Sequence, residues 1–345
     1  MSVPTPEEQV QFLTNMQRLL SEGSFVATYK YALVLTLADL ALERGDDSGN
    51  SLTISTRDIA EKFVRYYWKQ CRPYEGRIVL RQNTGKPAEV IRLLNQIIPT
   101  AEGSLPALMK QKKDWESLVR SVDRVVRDMP LWRLQTVGKS SLEFLYPNVG
   151  SGNSIALKPG VAFCFRKFYP LIGDLVRGAW VRYVRRFNQD IFGTTADLHE
   201  FLFGSERSSL REVGFVLAEV QRGNCFYCQG ALAKRESHVD HFIPWSRYPS
   251  DLGHNFVLAH NSCNSAKSDF LAAQIHLDRW LSHIRVNGGE LGLAFDSRSI
   301  FHDVKTSIRI AEWSYRQTFS CQGLTWIKGR KYERLPAAWD TNLMR

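Results

Sequence analysis

Apolar residues recur at helical spacing through most of the first 205 positions of this chain. A helix is expected over Glu7–Leu20, opened by Thr5 or Pro6 and ended by Gly23. A second runs from about Val26 to Glu43 and stops at the turn-forming run Gly45-Asp-Asp-Ser-Gly-Asn. Ser55, with Asp58 three positions on, signals a helix that continues over Ile59–Gln70 and carries Phe63, Tyr66, Tyr67 and Trp68. Pro87 opens another to about Ile97, and Asp114–Met129 sets Trp115, Leu118, Val122, Val125 and Val126 at helical spacing. Residues 130–158 change character. Leu131–Val137 and Leu142–Tyr146 are rich in strand formers with Gly, Ser and Asn between them, which predicts a small hairpin. Helical spacing returns over Val161–Phe187. There Arg182, Arg185 and Arg186 share a face, either a phosphate-contacting stripe or a solvated helix surface.

The pattern shortens after a helix that begins at Ser208 or Ser209 and ends near Gln221. His238–Ile243 reads as a strand ended by Pro244, residues 245–254 as a turn with Pro249 and Gly253, and Asn255–Ala259 as a second strand. Cys263 opens a helix to about Gln274, which completes a ββα order. Beyond it, Asp269–Ile284 continues helical, Val286-Asn-Gly-Gly is expected to be a loop, and Ile300–Gln317 another helix. Thr325–Leu335 reads as a strand or an extended tail. The expected fold class is α+β: a mainly helical domain over 1–205, a small ββα unit over 206–275 and a helical C-terminal extension over 276–345.

Composition is that of an ordinary globular protein, with 44% hydrophobic and 23% charged residues among 345, and it excludes disordered or collagen-like classes. The longest apolar stretch, Tyr31–Ala41, is interrupted by Thr36 and Asp39 and falls well short of the roughly 20 residues a membrane span needs. The first residues lack a basic segment followed by an apolar one, so no signal peptide is indicated and a cytoplasmic protein is expected. The net charge of +10 favours an anionic partner, and nucleic acid is the commonest. Residues 221–270 hold five basic groups (Arg222, Lys234, Arg235, Arg247, Lys267) against four acidic ones (Glu236, Asp240, Asp251, Asp269). Nearly all of the excess therefore lies outside the ββα unit, and the grip on nucleic acid is expected mainly there.

Of six cysteines, Cys71, Cys164 and Cys321 are scattered and are expected to be buried thiols. Cys225 and Cys228 form one pair with two residues between them, and His260 and Cys263 repeat that separation. Zinc is held tetrahedrally by thiolate and imidazole, and such a pair in a tight turn can present both side chains to one ion. Four protein ligands fill the sphere, so this zinc is expected to staple two loops and to do no chemistry.

Between and after the two pairs lie the residue types that phosphodiester hydrolysis needs. One carboxylate and one amide oxygen, Asp240 and Asn264, make a plausible protein share of a Mg²⁺ or Mn²⁺ site. His241 can take a proton from an attacking water. Asn255 is expected to hold the His241 tautomer by a side-chain hydrogen bond. Lys267, three positions from Asn264 on one helix face, is expected to touch the scissile phosphate. His238 reads as a structural strand residue and His254 as a solvated turn histidine.

Asp-His, an asparagine 14 positions after the histidine, then Cys-Asn and a lysine three later resembles the HNH (ββα-metal) endonuclease superfamily in its zinc-bearing, His-Asn-Asn form, over about residues 222–272. His260 stands where many relatives have a cysteine. The resemblance implies Asp240 and Asn264 as metal ligands, His241 as general base and Asn255 as the turn asparagine. It implies an endonuclease acting mainly on double-stranded DNA, with restriction or anti-phage defence as the analogous role. A monomer is expected to nick, a double-strand break to need a homodimer or a second event, and a protein partner to restrain the enzyme. The competing reading is a non-catalytic zinc-stapled module that binds nucleic acid or protein.

Overall fold

The computed structural model describes residues 3–23, 27–76, 78–83, 85, 87–189, 191, 197–204, 207–233 and 237–343. Val26, and Lys234, Arg235 and Glu236 of the charge count above, lie outside them. The protein is mixed α and β, with its helices in the majority and its strands paired two by two among the described residues. It divides into two compact units, Met1–Gly204 and Ser205–Arg345.

The first unit contains α1 (Pro6–Glu22), α2 (Tyr29–Arg44), β1 (Leu52–Ser55), α3 (Thr56–Gln70), α4 (Glu89–Ile97), α5 (Leu105–Lys110), α6 (Lys112–Asp128), β2 (Thr136–Val137), β3 (Ser140–Ser141), β4 (Ser154–Leu157), α7 (Val161–Lys167), α8 (Tyr169–Arg186) and α9 (Leu198–Phe203). Thr5 caps α1 with a full capping box to Glu8. Every residue of α2 from Tyr29 to Leu42 is buried, which makes it the core helix around which the others pack. Trp180 of α8 is fully buried among Tyr31, Tyr66, Tyr67 and Phe203, and its Nε1 donates to Gln82 Oε1 at 3.1 Å. Asp39 accepts from Tyr66 at 2.8 Å and Tyr169 at 2.7 Å, and Lys62 lies 3.6 Å away.

Two sequence expectations in this unit are corrected. The long helix Val161–Phe187 is broken at Phe168, because Pro170 has no N–H to give and disfavours helical geometry in the residue before it. The hairpin survives only as the two-residue ladder β2–β3, and Leu142–Tyr146 forms no strand. Its backbone is held by a buried side chain: Gln135 Oε1 accepts from Leu145 N, and Gln135 Nε2 donates to Tyr146 O. The longer strand pair, β1 with β4, joins positions 99 or more residues apart, beyond the reach of local pattern reading.

The second unit contains α10 (Arg207–Val220), β5 (Ser237–His241), β6 (Phe256–His260), α11 (Asn261–Lys267), α12 (Gln274–Ser297), α13 (Val304–Ser320), β7 (Leu324–Lys328) and β8 (Lys331–Arg334). One apolar cluster joins Val213, Val216 and Leu217 of α10 to Phe256 and Leu258 of β6, to Leu291 and Phe295 of α12, and to Ile300. A second stacks Phe242 on Trp280, with ring centroids 4.9 Å apart and planes 8° from parallel. The β5–β6 hairpin is thereby clasped on its apolar sides.

Val286-Asn-Gly-Gly lies inside α12, which overturns the expected loop. Each glycine costs about 1 kcal/mol relative to alanine in a helix. Burying Leu291 and Phe295 returns roughly 1.5–3 kcal/mol apiece, so packing outweighs local preference. Helix α11 ends at Lys267, earlier than expected, where Ser268 turns into a positive φ of 48°. Residues 269–273 are not helical, because Trp326 of β7 binds their backbone: Trp326 N donates to Leu271 O at 2.8 Å and Ala273 N to Trp326 O at 2.7 Å. β7 and β8 form a hairpin where a strand or tail was expected. Cys71 and Cys164 are buried as expected, whereas Cys321 is exposed. No described helix is long and apolar enough to cross a membrane.

Candidate active site and metal centre

Helix α10 ends in two left-handed residues, Arg222 (φ 52°) and Gly223 (φ 69°), which turn the chain toward β6. The Gln221 side chain then pairs with β6 as a strand would, donating to Leu258 O and accepting from Leu258 N, both at 2.8 Å. The following turn closes between Asn224 and Ala231, with Cys225 N donating to Gly230 O at 2.8 Å. It carries Cys225 and Cys228. His260 ends β6 and stands at the start of α11, and Cys263 lies in that helix's first turn.

The ligand atoms of Cys225, Cys228, His260 and Cys263 all lie within 4.8 Å of one another. Sulfurs on one tetrahedral zinc stand about 3.8 Å apart, so the four side chains fit that ion. The imidazole is already oriented for it. His260 Nε2 faces Ala231 O at 3.1 Å, while Nδ1 faces Cys228 Sγ at 3.2 Å. A ring that donates from Nε2 presents its Nδ1 lone pair to the metal.

The thiols carry the same message. Burial alone would push the Cys225 thiol up, but backbone N–H groups of Cys228, His260 and Tyr227 surround its sulfur and hold it below the usual thiol value. Burial, then the nearby charges of Cys225 and Cys228, push Cys263 up to about 12. Three thiolates this close need a cation to coexist, and a divalent ion supplies it. Arg279 of α12 braces the turn from outside, donating to Phe226 O at 2.9 Å and Tyr227 O at 2.8 Å.

The expected catalytic residues fall into separate small groups. Asp240 is buried on β5. Its Oδ2 accepts from Tyr227 at 2.5 Å and meets Lys267 Nζ at 3.0 Å. Lys267 also donates to His241 O at 3.0 Å and has no exposed surface. An ammonium so placed cannot reach a phosphate in solution, which corrects the role expected of Lys267. It neutralises Asp240 and pins the end of β5 to α11 instead.

His241 faces the other side of the strand, as neighbours in a strand must. Its ring is flanked by Trp245, centroids 5.1 Å apart, and Phe256 at 4.6 Å. Its Nε2 lies 3.0 Å from Asp251 Oδ1.

Asn255 makes no side-chain bond to His241, contrary to expectation. It is buried, its Oδ1 accepts from Ile243 N at 2.8 Å and its Nδ2 donates to Ile243 O at 3.0 Å. Its backbone carbonyl takes the Phe242 N–H at 2.7 Å. Asn255 thus braces the two residues that follow His241. Asn264 lies half-buried on α11, and its side chain makes no hydrogen bond among the described residues.

His238 is exposed on β5. His254 is buried rather than solvated, with Nε2 3.2 Å from Gly288 O and its ring against Phe295 and His302. Sequence reasoning missed Tyr227 and Asp251. Tyr227 looks like filler between two cysteines. Asp251 stands in a turn ten positions from His241, and no spacing rule joins them.

The segment at 225–270 matches the family model of the HNH endonucleases, and its Cys/His cluster is consistent with a zinc-bound HNH segment. This match suggests a nuclease-type function and, with it, contact with nucleic acid. Comparison with curated proteins and with solved structures gave no match. A second family model, described as a domain of unknown function (DUF8808), matches residues 9–202. That is more than half of the 345 residues, and the chain accordingly belongs to the DUF8808 family.

Proposed function

We propose that the protein is a metal-dependent endonuclease that hydrolyses phosphodiester bonds in double-stranded DNA. The observation that carries this reading is the half-buried His241 ring, fixed between two aromatic side chains within an HNH-matching segment and one residue from a buried carboxylate. His241 acts as general base on the attacking water. Asp240 and Asn264 would hold Mg²⁺ or Mn²⁺. Asp240 fits, since a carboxylate has about four acceptor positions and Lys267 and Tyr227 occupy about three. Asn264 adds an amide oxygen free of other hydrogen bonds among the described residues. Such an ion supplies charge stabilisation at the phosphate. Asn255 and Lys267 act on geometry, by fixing the chain on either side of His241.

The basic excess outside the zinc segment and the membership of residues 9–202 in a separate family support a division of labour: one part grips or recognises, the other cuts. A single site cuts one strand, so a monomer nicks, and a double-strand break takes a second copy or a second event. Restriction or anti-phage defence suits this build. Equal cleavage of modified and unmodified DNA would count against recognition of modification.

The test is cleavage of supercoiled plasmid by wild-type and His241→Ala protein with Mg²⁺, Mn²⁺ or EDTA. The expected outcome is metal-dependent nicking that falls at least about 10²-fold in the variant. One observation favours the competing binding module, because Asp240 is already neutralised by Lys267. That module would bind DNA in a salt-dependent way that persists with EDTA, and it would show no cleavage with any divalent ion.

A further inference from the structure

We infer that Asp251 is the positioning residue of His241, and that it makes Nδ1, not Nε2, the nitrogen that accepts the proton of the attacking water. This rests on the nuclease reading above for its chemistry, but not for its geometry. The turn after Pro244 carries Asp251 back onto β5, where its Oδ1 stands 3.0 Å from His241 Nε2. The His241 side chain is 14% exposed and that of Asp251 20%, so water screens the pair only in part. Trp245 and Phe256 pack against the ring, with centroids 5.1 and 4.6 Å away, and help to hold it. Nδ1 makes no hydrogen bond among the described residues.

Two consequences follow from elementary chemistry. A carboxylate only accepts, so neutral His241 must carry its proton on Nε2. The lone pair is then on Nδ1. When a water O–H bond breaks, its proton bonds to Nδ1, its oxygen bonds to phosphorus, and the leaving oxygen departs with the P–O electron pair. The imidazolium so formed is balanced by Asp251, which keeps its charge throughout and accepts no proton. This is the base-and-orienter arrangement that recurs at activated nucleophiles. The turn 245–254 thereby gains a role in the chemistry, because it supplies the anion beside the imidazole.

Two readouts on the full chain decide it. In ¹⁵N-histidine-labelled protein near about pH 9, where histidines are neutral, His241 should show its proton on Nε2. Asp251→Ala should move part of that population to Nδ1. In plasmid cleavage, Asp251→Ala should lower kcat by about 10- to 100-fold with KM little changed, and Asp251→Glu should regain part of it. A proton on Nδ1 in the wild type overturns the inference, and so does an Asp251→Ala enzyme that matches the wild type while His241→Ala is inactive. In that second case the nuclease reading stands. Absence of cleavage by the wild type with any divalent ion sinks the nuclease reading alone, and the tautomer then decides the pair.

Discussion

Each unit of this protein buries the same chemical device. In the first, Asp39 accepts from two tyrosine hydroxyls and lies beside Lys62. In the second, Asp240 accepts from Tyr227 and pairs with Lys267. Both carboxylates are about nine-tenths buried, and both lysines are nearly or wholly so. A buried Asp–Lys–Tyr group therefore does not mark a reactive centre by itself. What surrounds it differs. Asp39 sits on α2, whose every face is apolar and packed. Asp240 sits on a five-residue strand, next to a histidine on the outer face and one side chain away from a Cys/His cluster. The first unit is held by its core. The second has, besides its core, four side chains placed to fit one zinc ion.

The largest effect should come from breaking the Cys/His cluster that fits zinc. Cys263→Ser takes away one of four ligands, and structural zinc contributes about 10–16 kcal/mol of apparent binding energy in zinc-finger peptides. We expect the variant to lose stoichiometric zinc and the second unit's unfolding transition, with the first unit's transition unmoved. Calorimetry with zinc analysis checks it. If both transitions shift together, the units do not differ in what holds them.

Replacing the lysines sharpens the comparison next. Lys267→Met leaves Asp240 charged, buried and unpaired, and breaking such a pair typically costs about 3–5 kcal/mol. Lys62→Met should cost at least as much, because Lys62 serves two largely buried carboxylates, Glu43 closely and Asp39 at 3.6 Å, and only Asp39 keeps two tyrosine donors. Urea unfolding of the two variants gives the difference. Only Lys267→Met should also abolish cleavage under conditions where the protein is still folded, since Lys267 holds the His241 carbonyl.

How much of this was legible in the sequence follows the same division. The Cys/His cluster was readable because a metal imposes residue type and spacing together. Most helices were readable because amphipathic periodicity is local. The long strand pair β1–β4 was not, because its partners meet only after the helices between them fold. Glycine at 288 and 289 misled, since burial of neighbours such as Leu291 decided the matter. The site residues divide by the same physics. Asp240 and His241 announce themselves as adjacent reactive types, but the roles of Lys267 and Asn255 depend on what each side chain meets across the fold, and so does the existence of the Asp251 contact.

Gly253 tests a smaller feature of the second unit. A Cβ there would stand 2.7 Å from two Phe295 ring carbons and 2.9 Å from His302 Cβ. Gly253 also donates its N–H to Phe301 O at 2.9 Å, so the turn cannot simply move away. Gly253→Ala should destabilise the second unit by about 1–3 kcal/mol, the range for overpacking. Gly289→Ala on α12, where nothing lies within 4 Å, should stabilise it by a few tenths up to about 1 kcal/mol. Equal shifts in the two variants would mean that the turn yields and that Gly253 is not a point of close approach.

The smallest expected effect concerns protons. Seven of the eight histidines fall within residues 205–345. Burial holds three of them, His254, His276 and His283, below the ordinary imidazole value. Their neighbours do not reverse this. His302 faces His254, Arg279 faces His276 and His254 faces His283, each adding to the depression. The folded unit therefore resists protonation that the unfolded chain accepts near roughly pH 6.5. In the window between the depressed folded values and that pH, the unfolded state binds more protons, so stability rises with pH through it. The contribution is fully present above the window and lost as pH falls through it. Zinc thiolates also compete with protons in acid, so bulk unfolding would mix two causes. Ring-proton NMR titration separates them, and all three midpoints should lie below the ordinary histidine value. A midpoint at or above it for any of the three would mean that water reaches that ring, and that the packing of α12 around the site is looser than its contacts imply.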